Sequence, residues 1–264
     1  MNKEQMYQLE VESARFYEQN FVPAVFSSWA QKVINYLDLR PSEDFLDVAC
    51  GTGIVARTAK CRQNKRVHIT GCDINKGMLQ VAQEMEPNIE WVVGDAEKLP
   101  FESRTFDKIA CQFALMFFSN KVKAINEMVR LKRNGGKVVI STWDILEANE
   151  GYYDFHRLLE EVGGKALGDI LMAPFSLGKI SNINLIMSES RVSSYRIENV
   201  REEVVFPSIK YWIDCDIHGS PIAEKITEPQ YHQLLGLAEE QLEKYISEEG
   251  DVRFNMSAHM IIIE

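Results

Sequence analysis

The 264-residue chain is poor in the features that mark several protein classes. Its five cysteines (Cys50, Cys61, Cys72, Cys111, Cys215) form no C-x-x-C and no pairing pattern, which argues against a disulfide framework or a cysteine-built zinc site. The five histidines show no H-x-x-x-H spacing, so no metal is expected. No basic run exceeds a few residues, and the net charge is −10 with a pI of about 5.1. A field of that sign disfavours nucleic acid as a partner. The longest apolar stretch, 109–118, is interrupted by Gln112 and is far too short to span a bilayer. The N-terminal MNKEQMYQLEVE lacks the apolar core of a secretory signal. Repeats, low-complexity tracts and flexible linkers are missing. These absences predict a cytoplasmic protein with reduced thiols; oligomeric state leaves no trace in the sequence.

What is present is a sizeable core: 45% of residues are hydrophobic, enough for one domain with elaborations. The chain is organised around Phe45 to Gly53, FLDVACGTG. A short apolar run ends in an acid and two glycines, and Ile54, Val55, Ala56 and Ala59 then recur at helical spacing. That is a strand, a tight turn and a helix start. A second apolar run, 67–72, ends in Asp73, about twenty positions beyond Gly53, where an acid can accept hydrogen bonds from a ribose. A nucleoside-bearing cofactor is therefore expected.

Two cofactors fit this spacing. Gly51, Gly53 and Ala56 satisfy the loose dinucleotide fingerprint, which would make the protein a nicotinamide-dependent oxidoreductase. Asp47 argues the other way, because a carboxylate beside the turn repels a pyrophosphate and suits an ammonium or a sulfonium. A binder that keeps the cofactor fold without catalysis is a third reading.

From Phe45 strands and helices alternate: strands over 45–49, 67–72, 89–93, 106–112 and 137–142, with a helix after the N-cap Asn75 and another ending at Asn134-Gly135-Gly136. Such alternation predicts a mostly parallel sheet with ligands at the carboxyl ends of its strands, where Asp47, Asp73, Asp95 and Gln112 fall. Ahead of the sheet, Met6, Leu9, Ser13, Phe16 and Tyr17 share one helix face, Pro23 interrupts that helix, and a second follows with Trp29, Val33 and Leu37 inward. By spacing alone Tyr17 and Trp29 read as core. After Trp143 the alternation stops; helices are expected over 152–164, 180–187 and 231–246, an extended stretch over 193–206, a short aromatic segment over 209–215 and a final strand over 254–263.

At this point the sequence resembles the class I S-adenosylmethionine-dependent methyltransferases, in the broad group around the ubiquinone and menaquinone C-methyltransferases. Asp47, Ala49, Gly51 and Gly53 stand at their motif I, with alanine for the first glycine; GCDIN (71–75) resembles their ribose motif and GDAEKLPF (94–101) their adenine motif. Phe106 to Phe118 is similar to their fourth strand and RLKRNGGKVVIS (130–141) to the approach to their fifth. Phe113-Ala114-Leu115 replaces the Leu-Arg-Asn that the quinone enzymes carry after strand four.

The resemblance implies a Rossmann-like, seven-stranded α/β sheet with its last strands antiparallel and a helical cap. It implies one domain: N-terminal helices or lid (1–40), cofactor-binding core (41–143), substrate-side elaborations (144–253) and final strand (254–264). It implies that S-adenosyl-L-methionine is the cofactor and a small molecule the acceptor. Ala49, Gly51 and Gly53 would line its methionine portion, and Asp73 the ribose. Ile74 and Met78 would lie against adenine, Asp95 and Ala96 at the adenine edge, and Gln112 near the sulfonium, with Tyr17 closing the pocket. A base is needed only if the acceptor must lose a proton. Candidates are His218, placed in a loop, with His156 and Tyr153, then Tyr152, Asp214 and Asp216. His68 and His259 read as structural strand residues and His232 as helix surface.

Overall fold

The computed structural model describes residues 10–62 and 67–264. Met6 and Leu9 of the first expected helix lie outside them. Helix α1 (Val11–Phe16) runs directly into a π-wound stretch, Tyr17–Phe26, and then into α2 (Ser27–Leu37). The expected break at Pro23 therefore does not occur. A proline lacks the N–H that an α-turn needs and crowds the turn before it, and a widened winding accommodates both. Ser27 closes the stretch by donating from its backbone N–H and its Oγ to the Val22 carbonyl, the latter at 2.8 Å. Helix α2 buries Trp29, Ala30, Val33, Ile34 and Leu37 and ends at Asp38 in the left-handed region.

Strand β1 (Asp44–Val48) is buried along nearly its whole length, as both faces of a parallel strand must be. It is followed by α3 (Ile54–Arg62), β2 (His68–Asp73), α4 (Lys76–Met85), β3 (Glu90–Val93), β4 (Phe106–Gln112), α5 (Lys121–Leu131) and β5 (Lys132–Trp143). Asn75 caps α4 as expected, its side chain accepting from the Met78 N–H at 2.9 Å. The expected helix end at Asn134-Gly135-Gly136 is corrected: α5 stops at Leu131, and those residues form an irregularity inside a longer β5, with Gly135 at φ 76.

The sheet has seven strands in the order β3-β2-β1-β4-β5-β7-β6. Strands β1 to β5 are parallel, with Asp47 opposite both Gly71 and Ala110. Strand β7 (Val252–Ile263) runs antiparallel between β5 and β6 (Tyr195–Phe206). The reversal places β7 between β5 and β6 while all five parallel strands keep their carboxyl ends on one edge, and a ligand site forms along such an edge.

Between β5 and β7 lie α6 (Glu150–Gly163), α7 (Lys165–Met172), a short turn Ala173–Phe175, α8 (Ile180–Glu189), α9 (Ile209–His218) and α10 (Glu228–Gln241). The aromatic segment 209–215 is a capped helix, with Ser208 Oγ accepting from the Tyr211 N–H at 3.1 Å. Helix α10 begins earlier than its apolar pattern suggested, because Thr227 and Gln230 form a capping box. These elements share a core with the sheet: Trp212 on α9 packs on Phe254 of β7 with ring centroids 4.6 Å apart, and stacks on Phe206 of β6. Among the described residues no single helix is long and apolar enough to cross a membrane, though the bent pair Lys165–Phe175 and Ile180–Glu189 passes by length and composition.

Candidate functional site

The turn after β1 is shaped by its backbone. Ala49 takes φ 53 and Gly51 φ 55, both left-handed, where an alanine is strained and a glycine is not. Space beyond the Gly51 Cα is open, with nothing within 4 Å of where a Cβ would stand. Gly53 serves another purpose: a Cβ there would lie 2.2 Å from the Trp91 ring, and one on Gly71 would lie 2.3 Å from the same ring. Trp91 is wedged beneath the turn, its indole N–H donating to the Glu86 carbonyl at 3.0 Å. Glycine at 53 thus allows close packing from within, whereas Gly51 faces outward.

Two buried acids flank the turn. Asp73 Oδ2 accepts from the Gly51 N–H at 2.7 Å, and Oδ1 from the Asn75 N–H at 2.8 Å. Burial raises its pKa, opposed by hydrogen bonds from the Asn75, Gly51 and Ile74 N–H groups. Asp47 Oδ2 accepts from the Ala56 N–H at 3.0 Å. Burial pushes its carboxyl up to about 7, the Ala56 bond opposing and Asp73 adding to the rise.

A cavity of about 590 Å³ opens over this turn. It is lined by Tyr17, Ala49, Gly51, Met78 and Gln112 of the expected cofactor set, and also by Asp47. Gly53, Asp73, Ile74, Asp95 and Ala96 do not line it; the last four sit at the carboxyl ends of β2 and β3 beside it. Asp95 Oδ1 accepts from the Glu97 N–H at 2.9 Å, the turn geometry expected of an acid after a glycine. Gln112, closing β4, offers Nε2 to the Phe26 carbonyl at 3.5 Å, while its buried Oε1 has no partner.

Aromatic rings wall the rest. Tyr17, Phe21 and Phe26 come from the π-wound stretch, with Tyr17 and Phe26 centroids 5.4 Å apart. Phe113 follows β4 at φ 50, a strained setting for a bulky residue, and stacks on Trp143 at 3.7 Å. Its N–H is held by the Ser141 carbonyl and Oγ, both at 3.1 Å. Tyr152 of α6, Phe175 and Asp216 of α9 complete the far side. Two ties hold the aromatic wall in place, one to the helix after the turn and one to α9. Arg57 of α3 donates to both Glu18 oxygens at 2.7 Å, with both side chains largely buried, and the Tyr211 hydroxyl donates to Asn20 Oδ1 at 2.7 Å.

The three leading catalytic candidates lie elsewhere. His218 ends helix α9 rather than sitting in a loop, and its exposed ring lies between those of Phe16 and Tyr231. His156 is on α6 beside Glu160, 3.9 Å away, and Tyr153 is 39% exposed. Asp214 is engaged with Lys210 and the Tyr231 hydroxyl on the surface. The cavity instead receives Tyr152 and Asp216. Among the described residues no His, Cys, Asp and Glu cluster is placed to hold a metal. His259 is buried in β7, with Nε2 2.8 Å from the Gly178 carbonyl and 3.1 Å from Asp144 Oδ1, a structural tie as expected.

The fold, a seven-stranded sheet with parallel β1 to β5 and antiparallel last strands, is that of solved methyltransferase structures. Residues 46–140 match the family model described as a methyltransferase domain. The chain is 32% identical over 130 residues to a demethylmenaquinone methyltransferase of Beutenbergia cavernae, covering 47% of this chain and 53% of that protein. It is 37% identical over 115 residues to the enzyme of the same name from Thermotoga maritima, covering 43% and 49%. The chain thus spans about half the length of the curated relatives it matches. A solved structure described as a methyltransferase from an antibiotic biosynthesis pathway of Anabaena variabilis superposes over 90% of this chain and 96% of its own, with a TM-score of 0.66 at 19% identity.

The residues present fit S-adenosylmethionine. The cavity lining holds two carboxyl groups and, among the described residues, no Lys, Arg or His. Gln112 Oε1 is a buried acceptor awaiting a donor, and the open face of Gly51 admits close backbone approach.

Proposed function

We propose that the protein transfers a methyl group from S-adenosylmethionine to a small-molecule acceptor. The observation that carries this reading is a cavity at the carboxyl edge of the sheet with acids and no bases in its lining. A sulfonium and an ammonium gain from nearby carboxylates, whereas the pyrophosphate of a nicotinamide dinucleotide meets Asp47 with nothing to neutralise it. The oxidoreductase alternative loses its main support there. The bound cofactor supplies a methyl carbon already activated by positive sulfur.

The chain's own residues bind and align. Gly51 and Ala49 present backbone to the methionine portion, and Asp47 lends negative charge beneath it. Gln112 Oε1 accepts from an N–H donor. Asp73, Ile74 and Met78 hold the ribose and adenine, with Asp95 and Ala96 at the adenine edge. The Asp73 carboxylate already accepts backbone bonds, and a carboxylate has capacity for a further donor. Tyr17, Phe21 and Phe26 exclude water over the reacting centre, which raises the effective concentration of the aligned partners. N-terminal cover, cofactor core, substrate-side helices and final strand work as one unit in this reading. All five cysteines are free thiols, which suits a cytoplasmic setting.

Calorimetric titration with S-adenosylhomocysteine, with NADH as control, tests the assignment. Stoichiometric binding of the former alone is expected; binding of NADH alone overturns it.

A further inference from the structure

Asp216 is left over when the cofactor has been accounted for. It stands near the end of α9, 6% exposed, on the side of the cavity away from the β1 turn. Its Oδ2 is buried without a hydrogen-bond partner. Burial pushes its carboxyl up to about 8, opposed by the neighbouring Tyr152 hydroxyl and Trp212 indole, and no positively charged side chain lines the space before it among the described residues. A buried carboxyl oxygen without a partner costs stability, and its place in a cavity wall points to a ligand that supplies the missing donor.

The walls around it narrow the ligand. Tyr152, Phe175, Phe113 and Trp143 present ring surfaces, and Ile222 and Met256 add apolar contact. Ring faces attract cations and repel anions. A carboxylate or phosphate acceptor would meet Asp216 and Asp47 with no base to offset either. A neutral hydroxyl would satisfy Oδ2 but gain less from the charge than a cation does. A protonated amine gains from the carboxylate and the rings together.

Resting on the methyl-transfer reading above, we infer that the acceptor is an apolar amine whose nitrogen is held by Asp216. The ammonium donates to the carboxylate and then gives up one proton to it: an N–H bond breaks, an O–H bond forms, and the electron pair stays on nitrogen. The freed lone pair is the nucleophile that methyl transfer requires, and the rings hold the apolar body.

Ligand-detected NMR with benzylamine, benzyl alcohol, toluene and benzoate compares one ring carrying four substituents. Benzylamine should bind at least about tenfold more tightly than toluene, and benzoate should not bind. Asp216→Asn should abolish the amine-to-toluene ratio while leaving toluene and S-adenosylhomocysteine binding unchanged, and Asp216→Glu should retain part of it. Benzoate or benzyl alcohol equalling benzylamine in the wild-type protein overturns the inference without any variant. A ratio that survives in Asp216→Asn overturns the role of that residue. Failure of S-adenosylhomocysteine to bind the wild type overturns the underlying reading, and is distinguishable because the ring series is measured without cofactor.

Discussion

At the scale of single residues, the site is governed by carboxyl groups placed where water cannot reach them. Asp73 ties the Gly51 and Asn75 N–H groups, so its removal does more than take away a ribose contact. Asp73→Ala should weaken S-adenosylhomocysteine by about 1.5–3 kcal/mol and also lower the urea midpoint, because two backbone donors lose their acceptor. Calorimetry and urea denaturation read the two effects separately. Asp216 gives a pH signature. Its folded pKa lies above the unfolded value, so the native state binds the extra proton between roughly pH 4 and 8. The stability this contributes is present below the unfolded value and lost as pH rises through about 8. Asp216→Asn should therefore gain stability relative to wild type between pH 5 and pH 9, read from urea midpoints at each pH. Much of this scale was legible in sequence: Asp47, Asp73, Asp95 and Gln112 fall at strand ends that an alternating pattern predicts. The rank of Asp216 was not, because nothing in linear spacing shows which of Asp214, Asp216 and His218 on one helix turns inward.

At the scale of elements, the central question is how the N-terminal stretch stays seated over the sheet. The Arg57–Glu18 pair joins it to the helix after the β1 turn with both side chains largely buried. Arg57→Ala leaves Glu18 buried without its partner and should cost about 3–5 kcal/mol. Loss of S-adenosylhomocysteine affinity should accompany it, measured by calorimetry beside the denaturation midpoint. Beneath the same turn, Gly53→Ala drives a methyl into the Trp91 ring. It should destabilise by about 1–3 kcal/mol and change the tryptophan emission of the ligand-free protein. Strands β1, β2 and β4 were readable because each is a short apolar run bounded by turn residues, whereas the long, polar and largely exposed β6 showed only as an extended stretch. The passage through Pro23 was not, since a proline in a helical pattern signals a break and the alternative winding has no local sequence mark. Helix α9 was hidden for a related reason: Ile, Tyr, Trp and Ile close together suit a strand as well as a buried helix face.

At the scale of the whole molecule, a net charge of −10 surrounds a cavity lined, among the described residues, by no base. S-adenosylmethionine carries one more positive charge than its demethylated product. Association of the former should therefore slow more steeply with added salt than association of the latter, as stopped-flow fluorescence would show. At a hundredfold excess over its dissociation constant, the product should still stabilise the fold by about 2.7 kcal/mol, seen as a raised thermal midpoint. The parallel half of the sheet follows from its alternating pattern. The placement of β7 between β5 and β6 does not, because three strands distant in sequence meet there and only their shared burial selects the order.

The π-wound stretch has a consequence for how this protein tolerates change in length. Tyr17, Phe21 and Phe26 share the cavity wall although they are spaced by four and then five residues. An α-helix would carry the third of them away from the first two, whereas the wider winding keeps all three in line. The wall is thus set by residue count as much as by residue type. Inserting one residue between Phe21 and Phe26 would turn one ring by most of a right angle relative to the others, whereas deleting one leaves a spacing of four and four that an α-helix keeps on one face. Substitutions there that keep an apolar ring should be absorbed, as should a single-residue deletion between Phe21 and Phe26, while a single-residue insertion should not.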